Sequence, residues 1–164
     1  MEQLELFKSK TPKRYKPPRE FKIVALLERP PNERLMKCED PIHAVEYWRR
    51  NIATADWYCS DRECFVVILL NSKMRILGHH LVAIGSLDSV YVQPREVFRA
   101  AIIAACHSVV IGHNHPSGDP TPSDADLRVT RELARAGEML RILIIDHVVI
   151  GRPHHVSLKQ AGYF

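Results

Sequence analysis

Residues 108–126 read SVVIGHNHPSGDPTPSDAD, and the layout of the chain follows from them. Ser108–Gly112 is short, β-branched and apolar, the composition of a strand buried on both faces. Pro116, Gly118, Pro120 and Pro122 then interrupt any regular pattern and predict a bent, stiff loop. Ser123 stands where a helix N-cap belongs, so a helix is expected from about Asp124 to Leu140.

Outward from this unit, Arg141–Ile150 (RILIIDHVVI) reads as the next strand and Pro94–Cys106 as the preceding helix, with Val97, Ala100, Ala101, Ala104 and Ala105 on its apolar side. Cys64–Leu70 (CFVVILL) is a continuous apolar strand, joined by the Asn71-Ser72-Lys73 turn to a partner over Arg75–Gly85. Asp40-Pro41 opens a helix to about Ala53, with Asp as cap and Pro in the first turn. Phe21–Glu28 (FKIVALLE) predicts a further strand, and a short one is expected near His155–Val156. Ser157 and Gln160 have capping-box spacing for a last helical turn. The order β-α-β-β-α-β-α-β predicts an α/β fold with a mixed sheet flanked by helices, in one domain over 21–164. Residues 1–20, with Pro12, Pro17 and Pro18 and no periodicity, read as a flexible arm.

The formal net charge is +4 over 164 residues, and it is uneven. Residues 8–22 hold seven Lys or Arg against Glu20 alone, whereas from Ile23 onward 16 basic and 16 acidic residues balance. The basic arm can touch nucleic acid or an acidic partner; a solvated leader is the commoner use of such a run. No apolar run is long enough to span a bilayer and the first ten residues lack a secretory core, so a cytoplasmic protein without membrane attachment is expected. Cys38, Cys59, Cys64 and Cys106 form no CxxC pair and read as reduced, packing thiols.

The chemistry concentrates in residues 113–126. Residues two apart on an extended chain point to one side, so His113 and His115 can aim both imidazoles at one point beyond the strand. Asp126 falls in the first turn of the helix, where the loop can bring it back to them. Two imidazoles and one carboxylate make three ligands and leave the fourth tetrahedral position to water, the pattern of a catalytic zinc. Asp119 and Asp124 remain available as carboxylates, and Asp126 and Ser123 also suit a helix start on ordinary grounds. Asp146-His147, a polar pair inside an apolar strand, can orient a ligand from behind, form an internal hydrogen-bonded pair, or leave His147 facing solvent. His79-His80 and His154-His155 are adjacent, so each pair faces two ways and neither chelates; surface positions are expected.

The stretch HNHPSGDPTPSDAD resembles the motif of the JAMM (MPN-plus, or JAB) metallohydrolases: His, any residue, His, seven residues, Ser, two residues, Asp. Its HNHPSG core is similar to the RadC-like branch, as are ECFVVILLN, VYVQPREVFRAAI and DHVVIG, so the resemblance covers about residues 40–164. It implies a JAB/MPN-like, cytidine-deaminase-like mixed sheet flanked by helices, and one zinc per chain on His113, His115 and Asp126. It further implies that Ser123 helps stabilise a developing oxyanion and that Glu63 exchanges protons with the attacking water; Glu96, just after Pro94, is the rival for that last role. Family members cut peptide or isopeptide bonds, which implies a peptide or protein substrate. The RadC-like branch also carries a DNA-repair label, so a DNA-associated accessory factor is the alternative. Longer relatives have an N-terminal helix-hairpin-helix region, for which the residues before the first helix are too few and too rich in proline. A phosphodiesterase is less well supported, because no second metal site is legible. Substrate identity and oligomeric state have no readable code.

Overall fold

The computed structural model describes residues 35–85 and 92–163; the basic arm and the strand expected at Phe21–Glu28 lie outside them. Helix α1 (Pro41–Tyr47) starts as its sequence demands: Asp40 accepts from Ile42 N–H at 3.0 Å, and His43 Nδ1 accepts in return from Asp40 N–H at 3.2 Å. The helix does not run on as an α-helix to Ala53. Over Trp48–Ile52 it widens into a π-turn, which seats the buried Trp48 and Ile52 against the sheet.

The remaining elements are β1 (Cys64–Leu70), β2 (Ile76–Ile84), α2 (Pro94–Ile103), β3 (Ser108–Asn114), α3 (Asp124–Leu140), β4 (Leu143–Ile150) and β5 (His155–Ser157). They build one five-stranded sheet in the order β2-β1-β3-β4-β5. Only β3 and β4 run parallel, and α3 provides the crossover between them. The mixed sheet flanked by helices is therefore present.

Both faces of the central strands are covered, which explains their unbroken apolar runs. Val66, Ile68 and Leu70 of β1 pack with Val110, Val148 and Trp48 on the α1 side. Phe65, Val67 and Leu69 pack with Ile111, Val97, Phe98 and Leu133 on the side of α2 and α3. Burying side chains of this size contributes roughly 1.5–3 kcal/mol each.

Two boundaries differ from expectation. Helix α2 stops at Ile103, where Ala105 takes a left-handed φ of 47° and Cys106 N–H returns to Ala101 O. Strand β3 runs two residues past Gly112, because Phe65 pairs with His113 and Asn114 pairs with Ile150. Ser157 does not start a helix; its Oγ accepts from Gln160 N–H at 3.0 Å within a turn. All four cysteines are free thiols; Cys38, Cys64 and Cys106 are buried and suit a packing role, burial pushing Cys38 up to about 11, whereas Cys59 is exposed and does not pack. No helix among the described residues is long and apolar enough to cross a membrane.

Candidate metal centre

The extension of β3 places the chemistry. His113 lies inside the sheet with no exposed surface, its ring stacked on Phe65 at 5.9 Å and 8°. His115, two residues on, points to the same side. The loop between them and α3 is held down by β4 and the turn after it. His115 N–H donates to Ile150 O at 2.9 Å, Arg152 N–H to Gly118 O at 2.8 Å, and Arg152 Nη2 to Pro116 O at 3.0 Å. The residue after Ile150 must be small: a Cβ on Gly151 would stand 2.4 Å from Gly118 O and 2.7 Å from Pro120 Cδ. Gly151→Ala is expected to cost about 1–3 kcal/mol by overpacking and to weaken metal binding, because the displaced loop carries His115; urea unfolding and a zinc titration measure the two effects.

Ser123 caps α3, and the cap is reciprocal. Ser123 N–H and its hydroxyl both donate to Asp126 Oδ2 at 2.7 Å, and Asp126 N–H donates back to Ser123 Oγ at 3.2 Å. This turns the other oxygen, Oδ1, toward His113. His113 Nε2 is 3.2 Å from Asp126 Oδ1 and 3.0 Å from His115 Nε2, and His115 Nε2 is 3.5 Å from Asp126 Oδ2. Among the described residues these three form a group able to hold a metal ion. Ligand atoms ~2.0–2.1 Å from a tetrahedral zinc stand roughly 3.3–3.4 Å apart, so the spacing suits such a cation. Asp119 and Asp124 do not join the group. The Asp119 carboxylate accepts from Thr121 N–H and Oγ1, while its carbonyl accepts from His115 Nδ1 at 2.7 Å.

Electrostatics agree with the geometry. Burial raises the Asp126 carboxyl, but hydrogen bonds from His113, His115 and Ser123 outweigh it and hold the group far below the usual range. The hydrogen bond to Asp126 raises His115. Glu63 is half-buried immediately before β1, with Oε1 4.0 Å from His113 Nε2, and burial raises its carboxyl. Glu96 is instead paired with Arg99 at 2.9 Å and Arg95 at 3.7 Å on α2.

Four placements escaped or qualified the sequence reading. Asn114 points to the opposite side from the two histidines: its Oδ1 accepts from Cys64 N–H and its Nδ2 donates to Arg62 O, both at 2.9 Å, so it clamps the backbone on either side of Glu63. The sidedness of a strand was the available signal. Asp146 and His147 do not act together. Asp146 turns away, accepting from Ser157 Oγ at 2.7 Å and from the backbone N–H groups of His147 and Lys159. His147 alone backs the centre, its Nε2 2.8 Å from His113 Nδ1 and its Nδ1 2.6 Å from Thr130 Oγ1. Thr130 carried no signal beyond its place on the inner face of α3. His79 is half-buried rather than at the surface, with Nδ1 3.0 Å from Tyr47 Oη.

A family model described as RadC-like JAB domain matches residues 38–163. UPF0758 protein TTE0897 of Caldanaerobacter subterraneus subsp. tengcongensis is 48% identical over 104 residues, 63% of this chain and 45% of that protein. UPF0758 protein lmo1549 of Listeria monocytogenes is 45% identical over 103 residues, 63% of this chain and 46% of its own length. A UPF0758 protein of Methanosarcina acetivorans is 46% identical over 102 residues, 62% of this chain and 44% of that one. The chain thus spans less than half the length of these relatives. With most of its residues matched by the model, including every residue of the centre, the chain belongs to the RadC-like JAB domain family.

Proposed function

We propose that the chain is a zinc-dependent hydrolase that cuts a peptide or isopeptide bond. One observation carries the reading: two imidazole nitrogens 3.0 Å apart converge on one carboxylate, Oδ1 lying 3.2 Å from His113 and Oδ2 3.5 Å from His115, with a second, half-buried carboxylate beside them. Three protein ligands are the pattern of a site that works rather than one that only folds. When bound, zinc would lower the pKa of its water toward ~7 and polarise a substrate carbonyl.

The chain's own residues divide the remaining work. Glu63, raised by burial, is suited to take a proton from the attacking water and pass it to the leaving amine. Asn114 holds the backbone that carries it. Ser123 sits exposed at the rim, its single hydroxyl proton given to Asp126. To serve a developing oxyanion it must turn that proton outward, leaving its backbone N–H to hold Asp126. A peptidic substrate is the choice favoured by the resemblance to enzymes of that kind.

The test pairs metal and turnover. The chain is expected to take up about one zinc and, once loaded, to cleave members of a peptide and isopeptide library read by mass spectrometry, with cleavage abolished by a chelator and restored by zinc. A chain that stays metal-free at micromolar zinc, or a loaded one that cleaves nothing, overturns the reading. The alternative, a DNA-associated factor, rests on the basic arm. It requires DNA affinity that falls steeply with salt and disappears when residues 1–20 are deleted.

A further inference from the structure

We propose that Thr130 and His147 are positioning residues that keep a proton on Nδ1 of His113 and so leave its Nε2 lone pair facing the cation. The proposal rests on the reading of His113 as a metal ligand and adds the device that prepares it.

Thr130 Oγ1 lies 2.6 Å from Asp126 O, one turn back along α3, and 2.6 Å from His147 Nδ1. A carbonyl oxygen can only accept, and two oxygens that close without a proton between them repel. The one hydroxyl proton of Thr130 therefore belongs to Asp126 O, the usual back-bond of a helical threonine. Only lone pairs are left on Thr130 Oγ1 for His147, which must donate through Nδ1–H.

His147 is fully buried, and among the described residues its two ring nitrogens bond only Thr130 and His113. Burial without a carboxylate partner disfavours a charged ring. A neutral imidazole protonated on Nδ1 has a bare Nε2. At 2.8 Å that nitrogen needs a donor, and the donor is His113 Nδ1–H. The proton position of a ligand on β3 is thus dictated by a carbonyl on α3, through a residue of β4. His115 reaches the same state by a shorter route, since its Nδ1 faces the Asp119 carbonyl at 2.7 Å.

The chain of bonds leaves Asp126 by the carbonyl and ends at His113 Nε2, 3.2 Å from the Asp126 carboxylate, where a bare nitrogen and a carboxylate oxygen can share a cation but not a hydrogen bond. Two ligands from different elements are braced against one another before any cation arrives. Breaking the brace at Thr130 frees His147 to carry its proton on Nε2 and donate to His113 Nδ1. The His113 proton then moves to Nε2, where it competes with the metal.

The experiment uses the full chain with nitrogen-15 labelled histidines, first metal-free and then with zinc. In the parent, His113 Nδ1 is expected to be protonated in both states, with Nε2 losing any proton on loading. Thr130→Val keeps the shape and deletes the hydroxyl. It is expected to shift the His113 ring signals in the metal-free protein and to weaken zinc binding, measured by chelator competition, about 10–100-fold. Thr130→Ser is expected to restore both. A parent His113 whose sole proton sits on Nε2 overturns the proposal, as does a Thr130→Val protein with unchanged His113 signals or undiminished zinc affinity. If Thr130→Val does not fold, the proton position in the parent decides alone. A parent that binds no zinc sinks the metal reading only, because the proton is located before zinc is added.

Discussion

Glu63→Gln is expected to bind zinc about as tightly as the parent and to lose turnover by about 10²–10⁴-fold, the usual worth of a positioned acid–base group. The two halves come from different parts of the geometry. Glu63 stands 4.0 Å from His113 Nε2, outside the three atoms that converge, so removing its charge leaves the ligand set whole. Gln matches the shape and keeps the Asn114 clamp, which bonds only backbone. It cannot take a proton. Isothermal titration with zinc and turnover of a library-derived substrate make the comparison. An active Glu63→Gln protein moves the proton role elsewhere, and one that loses zinc makes Glu63 a ligand.

His113→Ala is expected to do the reverse and remove metal and activity together. It takes the central donor from the group and breaks the brace through His147. The loss of zinc affinity should exceed the ~10–100-fold cost of losing an outer hydrogen bond. The metal-free fold should suffer too, because the ring is wholly buried between Phe65 and His147. A cavity in that place, with His147 Nε2 left unpaired, should lower unfolding stability by about 2–4 kcal/mol in urea. His115→Ala, at a half-buried position on the loop, should cost the metal with a smaller penalty to the fold. Equal stability losses for the two variants would contradict the buried placement of His113.

Much of this was legible in advance because it depends on local periodicity. Cys64–Leu70, α3 with its Ser123 cap, and the shared side of His113 and His115 follow from spacing alone. The parts that were not legible depend on partners far along the chain. Thr130 reads as one more residue of an amphipathic helix; its role exists only because β4 brings His147, 17 positions later, against it. Trp48 gives no sign that the helix will widen where it is buried against the sheet. Gly151 looks like a strand terminator until the loop at Gly118 and Pro120 is seen lying on it. Asp146-His147 was half readable. Strand alternation already forbids the two side chains from serving one point, and the structure assigns that service to His147.

The alternation along β3 also fixes the phase of the motif. Its outer imidazoles address the cation while the amide between them grips the strand next door. A slip of one position would exchange these duties and turn Asn114 toward the ligands and the histidines toward the Trp48 layer. Anyone transplanting this centre to another sheet must therefore carry over two neighbouring strands in matched phase, together with the helix that supplies the third ligand.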